Sequence, residues 1–319
     1  MTRTVLLIEC EAPADLAIYR PALAEAAPLF TIVAATSESE ALAAGQDAEI
    51  VMGKAQSITS RLVQGLPKLR WIQALTAGTD PIDALSLPPH IMVTSMRGIH
   101  GPQMAELAIL MMLALQRQFP RMLHNQEQHR WERWPQKILA GRTALLVGVG
   151  QISERLALCC GAFDMRVEGV SDGRAEAPGF AAIYPRHRLR EAAASADFVI
   201  VLVPYSAATR HLIDETVLRA MRPDAFLINL ARGGVVDEAA LLTALDQGWI
   251  AGAGLDVFAR EPLPGTDAIW SAPNVIATPH IGGMSDHYAR QAVGVMARNL
   301  AAYAAGRLEE MANVVRRPD

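Results

Sequence analysis

The chain has 319 residues, 51% of them hydrophobic and 19% charged, with a formal net charge of -4 at pH 7. That length exceeds one ordinary hydrophobic core, so two domains are expected. The slightly acidic balance, the lack of a long basic run and an aromatic content of 5% exclude a nucleic-acid-binding surface, and no apolar run is long enough for a membrane span.

The first apolar run, 5–8, stops at Glu9, which is strand length rather than the length of a signal peptide. Further apolar runs at 30–33, 49–52, 71–74 and 91–93 alternate with helix-like segments such as the alanine-rich 14–26. Strands alternating with helices predict βαβ units and a parallel sheet. Cys10, Cys159 and Cys160 have neither CxxC nor metal-ligand spacing, so a reducing, cytoplasmic compartment and no metal are expected. Cys159 and Cys160 are read as small buried hydrophobes.

Gly101 and Pro102 open a predicted helix over 102–120, rich in Met and Leu. A helix apolar on most sides belongs either in ordinary core or between two domains or subunits. His100, Trp131 and Trp134 flank it and are candidates for a ligand cleft, with packing the favoured reading of each. A second series of apolar runs follows at 143–147, 166–170, 198–203, 225–228, 250–255 and 275–277, then a last helical stretch near 285–305. The predicted class is α/β, with two doubly wound parallel sheets, one before and one after about residue 100.

"GVGQIS" follows the strand 143–147 and opens a helix, placing Gly148, Gly150 and Ser153 at the positions of G-x-G-x-x-G. The first glycine makes the turn, and the second lets the backbone approach a pyrophosphate at the helix N-terminus. Ser153 departs from the third glycine but is small enough to pack. An acid that would bind the adenosine ribose is expected at the end of the next strand, where the sequence reads "VSDGRAE". Ser171 stands there, with Asp172 next and Arg174 beyond. Both NAD and NADP stay open, and Ser171 with Arg174 lean towards NADP.

Three short motifs remain: Arg232 in "INLARGGVVDE", Glu261 in "LDVFAREPLP" and His280 in "ATPHIGG". Each follows a predicted strand of the second sheet, at the edge where open α/β sheets bind ligands. An arginine fork binds a carboxylate and polarises a neighbouring carbonyl. A histidine donates a proton to the alkoxide that hydride addition creates, and a carboxylate partner fixes its ring. Gly233 and Gly234 would let the chain turn away without crowding Arg232.

With these motifs in view the chain resembles the D-isomer-specific 2-hydroxyacid dehydrogenases, which include glyoxylate/hydroxypyruvate reductases and phosphoglycerate dehydrogenase. The resemblance runs over nearly the whole chain, through "TAGTDPID" (76–83), "GVGQIS", "VLVPYSAATRHLI" (201–213), "NLARGGVVDEAAL" (229–241), "GLDVFAREPLP" (254–264) and "TPHIGG" (278–283). It implies a flavodoxin-like substrate domain of residues 1–98 with 286–319, and a Rossmann dinucleotide-binding domain of residues 99–285. It implies catalytic roles for Arg232, Glu261 and His280, with Arg232 and the backbone amides around Ala77, Gly78 and Thr79 gripping the substrate carboxylate. The cofactor would lie along Gly148, Val149, Gly150, Gln151, Ile152, Ser171, Arg174, Val203, Pro204, Thr209, Asn229, Leu230, Ala231, Asp256, His280 and Gly282, with Asp256 near the nicotinamide amide. The 102–120 helix would then sit in a homodimer interface. The expected reaction is NAD(P)H-dependent reduction of a small 2-oxo acid to a D-2-hydroxy acid. The alternative is a non-catalytic NAD(H)-sensing protein of the same fold, which no long charged tail favours here.

Overall fold

Residues 3–318 are described by the computed structural model. The first unit, Met1–Ile99 with Ser285–Asp319, is built on β1 (Arg3–Ile8), α1 (Leu16–Ala26), β2 (Phe30–Ala35), α2 (Glu38–Ala44), β3 (Ala48–Gly53), α3 (Ser60–Gln64), β4 (Trp71–Ala74), α4 (Asp80–Asp83) and β5 (Met92–Thr94). Five strands run parallel in the order β2-β1-β3-β4-β5, and the strand Val314–Arg316 joins β5 antiparallel. Ser37 and Thr59 cap α2 and α3 by accepting the N–H groups of Glu40 and Leu62. Successive residues of a strand enter opposite layers. Val5, Leu7, Ile50 and Met52 share one core with Met296 and Leu300 of the helix Tyr288–Ala304, while Leu6, Ile8, Val51 and Ile72 share the other with Leu62 and Leu66. Both faces of the sheet are covered, which is why these strands read as unbroken apolar runs.

A buried polar network fastens the returning helix to this sheet. Asn299 is fully buried; its Nδ2 donates to Gln73 Oε1 (2.9 Å) and to the carbonyl of Ala312 (3.1 Å), and its Oδ1 accepts the Ala312 N–H (2.7 Å). Thr94 Oγ1 donates to the same Gln73 oxygen (2.8 Å) and accepts from Trp71 Nε1 (2.9 Å).

The second unit, His100–Met284, carries α5 (Gly101–Gln116), α6 (Phe119–Glu127), β6 (Thr143–Val147), α7 (Gln151–Ala162), β7 (Arg166–Val170), β8 (Ala182–Tyr184), α8 (Leu189–Ser195), β9 (Phe198–Val201), α9 (Glu215–Ala220), β10 (Phe226–Asn229), α10 (Glu238–Asp246), β11 (Gly252–Leu255) and β12 (Val275–Ala277). Its seven strands are all parallel, in the order β12-β11-β10-β9-β6-β7-β8. Strand order runs outward in both directions from β6, so the switch point lies between β6 and β9, where a crevice opens at the C-terminal ends of the strands.

The helix predicted over 102–120 is two helices. It ends at Gln116, Gln118 takes a left-handed φ of 56°, and Pro120 lies in the first turn of α6. Proline cannot continue the ladder of the preceding turn, and that is where the chain breaks. One face of α5, with Met104, Ala108, Met111, Met112 and Leu115, belongs to the core of this unit, whereas Leu110 is exposed. Two three-residue strands, β8 and Val314–Arg316, carry too short a pattern to be anticipated. Cys160 is buried and its thiol is pushed up to about 12 by burial, but Cys159 is half-buried, and Cys10 is exposed.

Substituting Asn299→Leu strands both Ala312 backbone groups and leaves the Gln73 side-chain oxygen with Thr94 as its one donor, without changing side-chain volume much. The expected loss is about 2 kcal/mol, read as a lower urea midpoint. The exposed Arg298→Ala serves as a control that stays within about 0.5 kcal/mol of the parent.

Candidate active site

Every motif singled out in the second half of the chain falls at the C-terminal edge of the second unit's sheet. Gly148 follows β6 with φ 105°, and a Cβ there would lie 2.9 Å from both the backbone nitrogen and Cγ1 of Val203. Glycine is therefore required twice over, by conformation and by space. Gly150 precedes α7, and a Cβ on it would meet nothing within 4 Å. Ser153 is buried in α7 and donates its hydroxyl to the Gly148 carbonyl, so the departure from glycine is used to tie helix to turn. A cleft of about 280 Å³ lies here, bordered by Gly148, Gly150, Ser171, Asp172, Arg186 and Pro204. An open glycine turn at the N-terminus of a twelve-residue helix fits a pyrophosphate, so the residues present suit a dinucleotide.

At the far end of the cleft, Ser171 follows β7 and its Oγ accepts the N–H groups of Gly173 and Arg174 (both 3.2 Å). Arg174 pairs with Glu154 of α7. Arg186 follows β8 and was not singled out from the sequence. Its backbone N–H donates to Asp172 Oδ1 (2.8 Å), its Nε pairs with Asp172 Oδ2 (3.1 Å), and its guanidinium reaches the carbonyl of Ala208 (3.3 Å). The signal that would have found it is β8 itself, which brings residue 186 back beside Ser171 through the Ser171 N–H to Tyr184 carbonyl bond.

Of the remaining residues named for the cofactor, Val149 and Val203 line this cleft. Thr209 is buried and works inside its own loop, donating to the Pro204 carbonyl (2.8 Å) and accepting from the Ser206 N–H (2.8 Å). Asn229, at the end of β10, donates to the Arg232 carbonyl (3.1 Å) and accepts the Ala231 N–H (3.1 Å), which shapes the turn that presents Arg232; Leu230 and Ala231 are buried beside it. Gln151 and Ile152 form the first turn of α7.

The arginine, glutamate and histidine motifs meet through their backbones. A Cβ on Gly233 would fall 1.8 Å from the carbonyl carbon of Phe258 and 2.1 Å from the nitrogen of Ala259, so the segment carrying Arg232 lies directly on the segment carrying Glu261. Glu261 Oε1 accepts the Phe258 N–H (2.9 Å), and its Oε2 stands 2.6 Å from His280 Nδ1. A carboxylate accepts, so Nδ1 bears the hydrogen and Nε2 remains for other chemistry. His280 adopts φ 52°, and its loop is pinned by Asp256. Both oxygens of this buried carboxylate are engaged: Oδ1 by the Thr278 hydroxyl (2.6 Å) and the Ile281 N–H (3.0 Å), and Oδ2 by the Gly282 N–H (2.8 Å). Gly282 must be glycine for this, since a Cβ would sit 2.8 Å from Asp256 Oδ2. The structure therefore gives Asp256 the task of holding the loop that bears His280, which sequence reasoning missed.

Arg232 is half-buried, with an extended backbone, and its guanidinium donates to the Ala231 carbonyl (2.7 Å). His100 is buried, close enough to Arg232 to feel its charge, and its Nε2 would lie 3.8 Å from a Cβ on Gly283. Burial first, and the Arg232 charge second, lower its pKa to about 4, so it is neutral at physiological pH. Trp131 is 92% exposed, against the expectation of packing, while Trp134 stacks under Arg121, 4.1 Å from guanidinium carbon to ring centre. In the first unit, the 76–79 turn follows β4, with the Thr76 hydroxyl donating to the Gly78 carbonyl (2.7 Å) and the Thr79 hydroxyl to Asp83 (2.8 Å). Among the described residues no group of three or more His, Cys, Asp or Glu side chains is placed to hold a metal ion, and no helix is long and apolar enough to cross a membrane.

Comparison with known proteins agrees with this geometry. Residues 109–282 match the family described as D-isomer specific 2-hydroxyacid dehydrogenase, NAD binding domain. The chain is 34% identical over 266 residues to a glyoxylate reductase of Pyrococcus furiosus, covering 79% of this chain and 78% of that protein. A solved D-isomer specific 2-hydroxyacid dehydrogenase family protein from Aeromonas salmonicida superposes with a TM-score of 0.89 at 32% identity, over 99% of each chain. A D-isomer specific 2-hydroxyacid dehydrogenase from Xanthobacter autotrophicus, solved with NADPH and MES, superposes with a TM-score of 0.82 at 25% identity, over 99% of this chain and 98% of that one.

His100 makes a prediction with a definite sign. Its folded pKa lies below the unfolded value, so the unfolded chain takes up the proton first as pH falls, and stability is lost between about pH 6.5 and about pH 4. Melting curves of His100→Asn should show a smaller fall in Tm from pH 7 to pH 4.5 than the parent shows; equal falls would place His100 outside the acid response.

Proposed function

The chain belongs to the D-isomer specific 2-hydroxyacid dehydrogenase family and is an NAD(P)-dependent oxidoreductase, and on that premise we propose that it reduces glyoxylate or hydroxypyruvate to the D-2-hydroxy acid with NADPH as the preferred donor. The observation that carries the reading is the His280–Glu261 pair joined through Phe258 and Gly233 to the Arg232 turn. The bound nicotinamide supplies a hydride to the carbonyl carbon. Arg232 binds the substrate carboxylate and polarises the carbonyl with its fork. His280 gives its Nε2 proton to the oxygen as charge develops, and Glu261 stabilises the ring through Nδ1. Oxidation of the hydroxy acid runs the same proton back to His280.

The preference for NADPH rests on Ser171, Arg174 and Arg186 at the adenosine end, where no acid ends β7. A 2′-phosphate would displace Asp172 and Glu154 from exposed ion pairs worth about 0–1 kcal/mol each. We also propose a homodimer. Leu110, Phe119, Leu123, Trp131 and Ile138 are all more than 40% exposed; the first two lie in the 102–120 stretch that the family resemblance places at a subunit contact, and the others follow it in the chain. The free thiols Cys10, Cys159 and Cys160 fit a reducing compartment, which we take to be the cytoplasm.

One steady-state panel tests the activity and the cofactor together. Consumption of NADPH with glyoxylate or hydroxypyruvate should be rapid in the parent. Arg232→Lys keeps the charge but loses the fork, so kcat/KM should fall about 100-fold; unchanged kinetics would remove the role given to Arg232. Arg186→Gln should lower kcat/KM for NADPH about tenfold and for NADH less than twofold. Sedimentation equilibrium should give twice the chain mass, and Trp131→Glu should shift it towards the monomer.

A further inference from the structure

Glu238, in the "VVDE" that follows the arginine motif, has no assigned task, yet its place is unusual. It opens α10, and its Oε1 accepts the N–H of Ala259 at 2.6 Å. The preceding amide, Phe258 N–H, is taken by Glu261, the partner of His280. Two carboxylates thus hold successive amides of one strand of backbone, the strand against which Gly233 is pressed.

The charges around it are mostly of its own sign. Glu261 and Asp267 face it from the 256–267 segment, and Asp237 adjoins it at the cap of α10, 3.8 Å from His211. Arg260 is exposed, and no ion pair reaches Glu238 among the described residues. The helix N-terminus and the Ala259 N–H favour its charge, but burial and the neighbouring acids outweigh them, and its carboxyl is held above the usual range. Glutamine would make the same hydrogen bond without that cost.

We infer that Glu238 is a positioning residue for the proton donor: it fixes the 258–261 backbone through its bond to the Ala259 N–H. This rests on the dehydrogenase reading above. The hydrogen bond sets where Glu261, two residues on, meets the imidazole.

Two variants test it. Glu238→Ala loses the bond, and kcat with glyoxylate should fall about tenfold with KM for NADPH unchanged. Glu238→Gln keeps the acceptor and should recover most of that kcat. Because the folded carboxyl is raised, ionising it costs stability once pH exceeds the unfolded value. Glu238→Gln should therefore melt above the parent at pH 7, with the gap closing towards pH 4. An alanine variant within twofold of the parent in kcat, or a glutamine variant as impaired as the alanine one, overturns the inference. Failure of the parent to oxidise NADPH with any 2-oxo acid would instead sink the dehydrogenase reading.

Discussion

The backbone contact at Gly233 is the constraint on which the second unit's chemistry depends. With a Cβ placed 1.8 Å from Phe258, no other residue allows the arginine-bearing turn to rest on the 258–261 segment. Backbone against backbone is the stiffest way to join two loops, because neither surface has a rotamer to change. From that contact the geometry propagates through hydrogen bonds of fixed direction: Phe258 to Glu261, Glu261 to His280, and Asp256 to the loop on the far side of His280. The His280 imidazole is thereby held from two sides, one through its ring and one through its backbone. Preorganisation of this kind lets electrostatic groups act without moving when charge develops.

The adenosine end is built on a different balance. Arg174 and Arg186 flank Ser171, and each is already paired with an acid, Glu154 and Asp172. These pairs are solvent-exposed, so water has done most of the screening and little is lost when the arginine turns to another anion. A buried pair would behave otherwise, since its rupture would leave an uncompensated charge.

Much of this was legible in the sequence, for identifiable reasons. Strands buried on both faces write continuous apolar runs, so all eleven strands predicted are present, with ends shifted by a few residues where β9, β10 and β11 begin or stop. Arg232, Glu261 and His280 were visible because each follows such a run. The helix break at Gln118 was written in Pro120 but masked by apolar residues on both sides. Arg186 was invisible because β8 is three half-buried residues with no period to read. The double duty of Asp256 was hidden for another reason: a carboxylate at a strand end looks the same whether it faces a ligand or three donors from its own chain.

Buried polar groups take two forms, one in the network behind β4 and β5 and the other around the Arg232 turn. In the first unit, Gln73, Thr94 and Asn299 are fully buried and neutral, and they satisfy one another and the Ala312 backbone. Such a network fixes one arrangement of helix on sheet and has no charge to respond to a ligand. In the second unit the groups near the Arg232 turn are titratable and held away from their ordinary ionisation: His100 is driven neutral by burial beside Arg232, and the Glu238 carboxyl is raised by burial beside Glu261. Neither shift helps the fold, since both groups would ionise more easily in the unfolded chain. A fold selected for stability alone would replace both with neutral side chains of similar shape. One of them adjoins the arginine and the other adjoins the glutamate that holds the histidine. That placement argues that the surroundings of Arg232, Glu261 and His280, as much as the three side chains themselves, are what this part of the sequence specifies.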